Sequence, residues 1–434
     1  MSSFSNLIQQ FPLGNRASNL DIAIIGYELA LTIFTRADFP QDWAATKNNL
    51  GIAYNNKITG NKAENLDEAI RCFQQALEVY TRADFPQNWA RTQNNLGSAY
   101  SDKITGNKAE NLDEAIRCYQ LALEVRTRAD FPQDWAMTQN NLGNAYRNKI
   151  TGNKAENLDE AIRCYQQALE VYTRADFPQD WAMTQNNLGN AYRNKITDNK
   201  AENLDEAIRC YQQALEVYTR ADFPQNWATT QNNLGNAYSH KITGNKAENL
   251  DEAIRCYQQA LEVYTRADFP QDWARTQNNL ANAYSDKITG NKAENLDEAI
   301  RCYQQALEVR TRADFPQNWA TTQNNLGIAY YNKITGNKAE NLDEAIRCFQ
   351  QALEVYTRAD FPQDWATTQN NLGSAYSDKI TGNKAENLDE AIRCYQQALE
   401  VRTRADFPQD WAMTQNNLGN AYRQNHRQQS RESR

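Results

Sequence analysis

The 434-residue chain has only two histidines, His240 and His426, and a single cysteine at each of eight evenly spaced places, Cys72 and Cys118 through Cys394. Two imidazoles and scattered thiols cannot supply the usual four-ligand zinc set, so no metal and no cofactor are expected. Basic charge is also short. Lys and Arg number 46 against 54 Asp and Glu, and the net charge of -8 has the wrong sign for wrapping phosphates, so no nucleic-acid partner is expected. No stretch approaches the roughly 18 consecutive apolar residues that a membrane helix needs. The opening MSSFSNLIQQ has neither a basic start nor an apolar core. The chain therefore reads as cytoplasmic, with no membrane partner. No residues suggest a nucleophile beside a base, which leaves no case for an enzyme.

What the chain has instead is repetition. One 46-residue unit recurs nine times from Ala17 to Ser430, most copies reading close to AENLDEAIRCYQQALEVYTRADFPQDWATTQNNLGNAYSDKITGNK. Ala63, Ala109, Ala155, Ala201, Ala247, Ala293, Ala339 and Ala385 open successive copies. A strict period of this size implies units that bury their faces only against neighbours. Three parts follow: an N-terminal cap segment at 1–16, tandem repeats at 17–423, and a polar tail at 424–434 expected to be disordered. Equivalent cysteines in stacked units lie roughly 10 Å apart or more, beyond the roughly 7 Å between alpha carbons that a disulfide allows. They read as small buried thiols packing a helix face.

Two helices are legible in each unit. Asn65 and Glu68 have the spacing of a capping box, with Asp67 and Glu68 in a first turn, and predict the start of a helix, B. Ala69, Phe73, Ala76, Leu77 and Tyr80 then form its apolar stripe, which ends near Thr81. Pro86 suits the first turn of a second helix, A, with Trp89, Gln93, Leu96 and Tyr100 facing inward. Gly106 is free to take a left-handed turn after it, and Asp198 replaces this glycine in copy four.

Leu96, Gly97 and Tyr100, followed by Ala115, Tyr119 and Ala122, resemble the tetratricopeptide repeat signature, L-G-x-x-Y then A-x-x-x-F/Y-x-x-A. The unit departs from the common 34-residue repeat by about 12 residues, added at or beside the turns. Lengthened repeats of this kind are similar to those of kinesin light chain and of bacterial arrays, some of which precede a caspase-like (CHAT) peptidase domain. The resemblance implies an all-α fold, a right-handed α-solenoid of antiparallel helix pairs, and a protein or extended peptide as partner. Regulation of a bacterial peptidase system and a purely structural or self-assembling role are the alternatives.

The copies differ mainly on helix A. Arg91, Ser98, Ser101 and Asp102 in copy two become Met137, Asn144, Arg147 and Asn148 in copy three, spacings that keep them on one side. Copy five offers Thr229, Asn236, Ser239 and His240, and copy seven Thr321, Ile328, Tyr331 and Asn332. By the resemblance, this side lines a concave, peptide-binding surface. Asn49, Asn95, Asn141, Asn187, Asn233, Asn279, Asn325, Asn371 and Asn417 border it, and a ladder of amides could pair with any peptide backbone. Arg91, Met137, Arg147, Met183, Arg193, His240, Arg275 and Tyr331 would set specificity. The competing account has the asparagines bonding between adjacent helices and the variable side as drifting surface.

The ends differ from the middle. Ile22, Ile25 and Leu29 add a second apolar stripe to the first helix B, and Phe4, Leu7, Ile8 and Phe11 suit a short amphipathic helix covering it. In copy nine Trp411, Leu418 and Tyr422 have no helix B after them, which suggests end-to-end self-association through the C-terminal helix, a partner, or a further domain.

Overall fold

Nine prolines, from Pro40 to Pro408 at 46-residue intervals, each occupy the first turn of a helix, where a missing N–H costs nothing. A computed structural model describes residues 2–11, 13–195, 199–287 and 289–432. Among these lie nineteen helices and no strand. The first is α1, Ser2–Gln10. The B helices are α2 (Arg16–Leu31), α4 (Lys62–Leu77), α6 (Lys108–Leu123), α8 (Lys154–Leu169), α10 (Lys200–Leu215), α12 (Lys246–Leu261), α14 (Lys292–Leu307), α16 (Lys338–Leu353) and α18 (Lys384–Leu399). The A helices are α3 (Pro40–Asn56), α5 (Pro86–Asp102), α7 (Pro132–Asn148), α9 (Pro178–Asn194), α11 (Pro224–His240), α13 (Pro270–Asp286), α15 (Pro316–Asn332), α17 (Pro362–Asp378) and α19 (Pro408–Glu432).

The chain forms two compact units, Met1–Tyr218 and Thr219–Arg434. Within each, every helix packs on the next, and short turns make neighbours antiparallel. Successive A helices also touch, as α5 does α7 and α13 does α15, whereas successive B helices do not among the described residues. The A row is therefore the tighter side of each stack. This is an all-α repeat solenoid, as the period implies.

The B helix starts four residues before the expected place. Asn61 is the N-cap of α4: its Oδ1 accepts from Ala63 N at 3.0 Å and its Nδ2 donates to Glu64 Oε1 at 3.0 Å. Asn61/Glu64 and Asn65/Glu68 share the same spacing, and the earlier pair wins because it adds a full helical turn. Asn65 is instead buried and donates to Thr59 O at 2.9 Å. Glu68 pairs with Arg71, and Asp67 reaches Lys103 at 2.9 Å. The turn before each helix B carries the expected glycine, with φ of 75° at Gly106, while Asp198 lies outside the described residues.

The core repeats with the sequence. In the first unit Ala115, Ile116, Tyr119, Leu142, Ala145 and Cys164 form one buried cluster, and equivalent clusters precede and follow it. All eight cysteines are free and buried. Arg82 and Arg128 pair with Glu124 and Glu170 of the following copy, and Arg266 and Arg312 do the same with Glu308 and Glu354 in the second unit. These exposed pairs contribute little each, about 0.5 kcal/mol. The buried clusters carry most of the stability.

The N-terminal end departs from expectation. α1 packs on α2, but through Ser5, Ile8 and polar contacts in which the Tyr27 hydroxyl lies 2.5 Å from Asn6 Oδ1 and 2.8 Å from Gln9 Oε1. Phe4, Leu7 and Phe11 stay exposed, as do Ile22, Ile25 and Leu29. The small Gly26 lets Ser5 close on the α2 backbone, and that close approach selects the narrow polar side of α1. At the other end α19 continues through the polar tail to Glu432. No glycine or proline falls between residues 420 and 432, and buried Asn425 docks on Asp389 Oδ1 at 2.7 Å.

Candidate functional site

The asparagine pair of each TQNNL segment divides its labour. In six of the nine copies the first member is buried: Asn48, Asn94 and Asn140 in the first unit, Asn232, Asn278 and Asn370 in the second, whereas Asn186 and Asn324 are half-buried and Asn416 is exposed. Asn48 Oδ1 accepts from Thr92 Oγ1 and from Asn95 Nδ2, both at 3.2 Å, and Asn232 Oδ1 accepts from Thr276 and Asn279 at 3.3 and 3.2 Å. The second, half-buried member is thus a donor to the preceding A helix. Asn141 and Asn187 reach Asn94 and Asn140 at 3.3 Å, and Asn371 and Asn417 reach Asn324 and Asn370 at the same distance. Asn49 donates to Asn6 at 3.0 Å, Asn325 to Asn282 at 3.2 Å, and Asn233 is also engaged. The ladder ties adjacent A helices together and fixes their spacing. Sequence reasoning named the second asparagine and missed the first, whose only signal was its strict pairing with a threonine two residues earlier.

Beside this ladder the variable residues share open polar cavities. In the first unit Ser98, Ser101 and Asp102 of α5 meet Asn141, Asn144, Arg147 and Asn148 of α7 around a space of about 380 Å³, with Tyr119 at its floor. In the second, Ser239 and His240 of α11 meet Asn282, Ser285 and Asp286 of α13 and Asn325 and Ile328 of α15 around about 310 Å³. His240 Nδ1 lies 2.7 Å from Asn236 O, and the Tyr331 hydroxyl donates to Asp378 at 2.6 Å. Arg193 is half-buried on α9, and the charges of Arg147 and Arg193 both act on the Tyr211 hydroxyl. Met137 and Met183 are exposed at the other end of α7 and α9. Arg91 and Arg275 are exposed and bond within their own helices, to Asn88 at 3.2 Å and Asp272 at 2.7 Å.

Part of the variation belongs to packing. Asn144 and Asn190 accept from the hydroxyls of Tyr165 and Tyr211 at 2.9 Å, and Ser98 lies 3.1 Å from that of Tyr119. Where helix B carries Phe73 or Phe349, which have no hydroxyl, the same place on helix A is Ile52 or Ile328. A polar partner is kept only where there is a polar group to satisfy.

Sequence reasoning also missed a second variable place, the residue that ends each B-helix turn. It is a buried tyrosine in Tyr80, Tyr172, Tyr218, Tyr264 and Tyr356, but a buried arginine in Arg126, Arg310 and Arg402. Each arginine Nη1 donates to a threonine of the next A helix, Thr138, Thr322 and Thr414, at 2.9 to 3.0 Å. The signal was the change of EVYTRAD to EVRTRAD in an otherwise constant segment. Among the described residues no group of His, Cys, Asp and Glu is placed to hold a metal, and no helix is long and apolar enough to cross a membrane.

Stacked helix pairs of this geometry, with the L-G-x-x-Y signature on every A helix but α13, where Ala281 replaces the glycine, define a tetratricopeptide-like repeat protein. The family model described as Soluble NSF attachment protein, SNAP, matches residues 82–180, 126–222, 175–272, 220–314 and 265–364, each window beginning about one repeat after the last. By that coverage the chain belongs to this family of helical repeats. The Sel1 repeat model matches 47–78 and 366–400. No curated protein matches. Similar solved structures include the APC/C hetero-tetramer Cut9-Hcn1 (16% identity, 94% of this chain and 82% of that one, TM-score 0.46) and apo RapI (11%, 90% and 98%, 0.49). A third is a signal transduction ATPase with a tetratricopeptide repeat sensor from Pyrococcus horikoshii (13%, 98% and 69%, 0.45). By the family models it matches, the chain is a repeat scaffold of a kind typical of protein–protein interaction.

Proposed function

We propose that the chain is a non-enzymatic scaffold that binds an extended peptide, or an extended stretch of a partner protein, along the A-helix face. The observation behind this reading is that the residues differing from copy to copy converge from neighbouring A helices on shared open cavities, while the asparagine pair beneath them is the same in every copy. With Nδ2 committed to the preceding copy, the carbonyl oxygens of Asn95, Asn141, Asn187, Asn279, Asn371 and Asn417 would accept peptide N–H groups. Arg147 and Arg193 would favour an acidic residue, and Met137 and Met183 an apolar one. Giving α7 and α9 the residues of α5, through Arg147→Ser, Asn148→Asp and Arg193→Ser, changes no core side chain. Binding of a peptide selected on the parent from a display library should weaken by about tenfold or more, with helicity unchanged. Parent-like affinity in fluorescence anisotropy would remove these residues from the site.

One feature favours a second reading, end-to-end association through α19. Met413 and Tyr422 are exposed, and the space facing Gly419 is open where inner copies such as Gly143 face a tyrosine ring. Light scattering should then report a mass above 49.7 kDa that rises with concentration and returns to the monomer in Leu418→Glu. A parent that stays at 49.7 kDa throughout counts against it.

A further inference from the structure

The junction between α13, α14 and α15 holds a buried arginine, Arg310, with which no carboxylate of the described residues is ion-paired. We infer that the pocket beside Arg310 is an oxyanion site that takes a carboxylate. This does not depend on whether the A-helix cavities bind peptide. The pocket, about 200 Å³, is lined by Gln271, Asp272, Arg275, Arg310, Phe315 and Asn318, among others. Arg310 is only 9% exposed. Its Nη1 donates to Thr322 Oγ1 at 2.9 Å, and no carboxylate of the described residues forms an ion pair with it.

The other copies show what is missing. At the equivalent junction of the first unit, Arg126 and Arg91 are also neighbours, but Asp134 stands 3.4 Å from Arg126. The residue in the place of Asp134 is here Asn318. At Arg402 the acid is present as Asp410, and Thr367 replaces the second arginine, accepting from Arg402 Nη2 at 3.0 Å. Of the three buried arginines, Arg310 alone faces a second arginine with no acid of the next helix to balance it. Burial, with Arg275 adding repulsion, lowers its guanidinium to about 10, so it is still charged at neutral pH. The first turn of α15 carries no acidic residue either, so its positive helix end is also uncompensated.

The charge count selects the ligand. Arg275 is paired with Asp272, which leaves the cluster one positive charge in excess. A monoanion balances that and a dianion overshoots. Guanidinium groups present a planar fork of donors that matches a carboxylate, and the amides of Asn318 and Gln271 add further donors. The carboxylate could come from an acidic side chain of a partner or from a free small acid.

Two substitutions test this while leaving sequences the array already contains. Asn318→Asp restores the acid found at Asp134 and fills the site from within. Arg310→Tyr installs the residue found at Tyr264 and Tyr356. The probes are acetate and a blocked Gly-Glu-Gly tripeptide, with Gly-Gln-Gly as control, titrated at constant ionic strength into the full chain while arginine side-chain NMR signals are followed. Saturable shifts of the Arg310 and Arg275 signals with acetate and the glutamate peptide are expected, absent with the glutamine peptide and lost in both variants. Tighter binding of the peptide assigns the site to a partner's side chain, and equal binding to a free acid. No saturable shift in the parent, or shifts that survive in Asn318→Asp, would overturn the assignment.

Discussion

Replacing Gly189 with leucine should cost the array about 3 kcal/mol or more, whereas alanine at the same place should change stability by no more than about 1 kcal/mol. A Cβ at Gly189 would lie 2.8 Å from Cε1 of Tyr211 and 3.0 Å from two more ring atoms, tighter than van der Waals contact allows. The same close approach recurs from Gly97 to Tyr119 and from Gly143 to Tyr165. It lets helix A and the following helix B pack almost backbone to ring. Copy six shows how much the contact gives. Ala281 stands there in place of glycine, fully buried, and Tyr303 still forms its bond, to Asn282, at 2.6 Å. A ring displaced by a few tenths of an ångström admits one methyl, and alanine recovers helix propensity in return. Leucine adds three more carbons where no side chain can retreat, so α9 and α10 must separate. Urea unfolding of the two variants measures the difference. Equal midpoints for alanine and leucine would show that the glycine serves some other end than close packing.

That contact also marks what the sequence makes readable. The period, the proline-started helix A, the left-handed glycine and the apolar stripes are properties of a single copy, and all appear where expected. What stays hidden is a role that depends on a side chain of another helix. Asn144 looks variable until Tyr165 is seen to need it, and Ile328 looks like a binding residue until it is seen against Phe349. Asn94 and Asn95 are adjacent and chemically identical, yet one is buried as acceptor and the other donates to the preceding helix. Arg310 is the sharpest case. Its peculiarity lies in a threonine, an arginine and an asparagine on two other helices, and only their assembly leaves a charge unbalanced. The cap at Asn61 was missed for a different reason: two registers of the same motif compete, and local pattern alone cannot rank them.

The thiols should make the array fail in alkali well before its backbone is at risk. Burial pushes Cys164, Cys210 and Cys256 up to about 12, and Cys72 and Cys302 to about 11, against an ordinary value of 9.0. The folded value is the raised one, so below pH 9 both states hold their protons and the stability is complete. Between the two values the unfolded chain releases protons that the folded chain retains, and stability falls as pH rises. Each buried thiol contributes a slope approaching about 1.4 kcal/mol per pH unit in that window. Tyr27, raised from 10.0 to about 12 by burial, joins only above pH 10, so the interval from 9 to 10 belongs chiefly to cysteine. Urea unfolding at pH 8, 9 and 10 should show the decline, and Cys164→Ala with Cys210→Ala should make it shallower by about two protons' worth, beyond the packing cost of the lost sulfurs. The same burial should keep a disulfide reagent such as Ellman's from all eight thiols until the chain is denatured. Rapid labelling of the native protein, or a stability that is flat from pH 8 to 10, would mean that these helix faces open to water far more readily than their packing indicates.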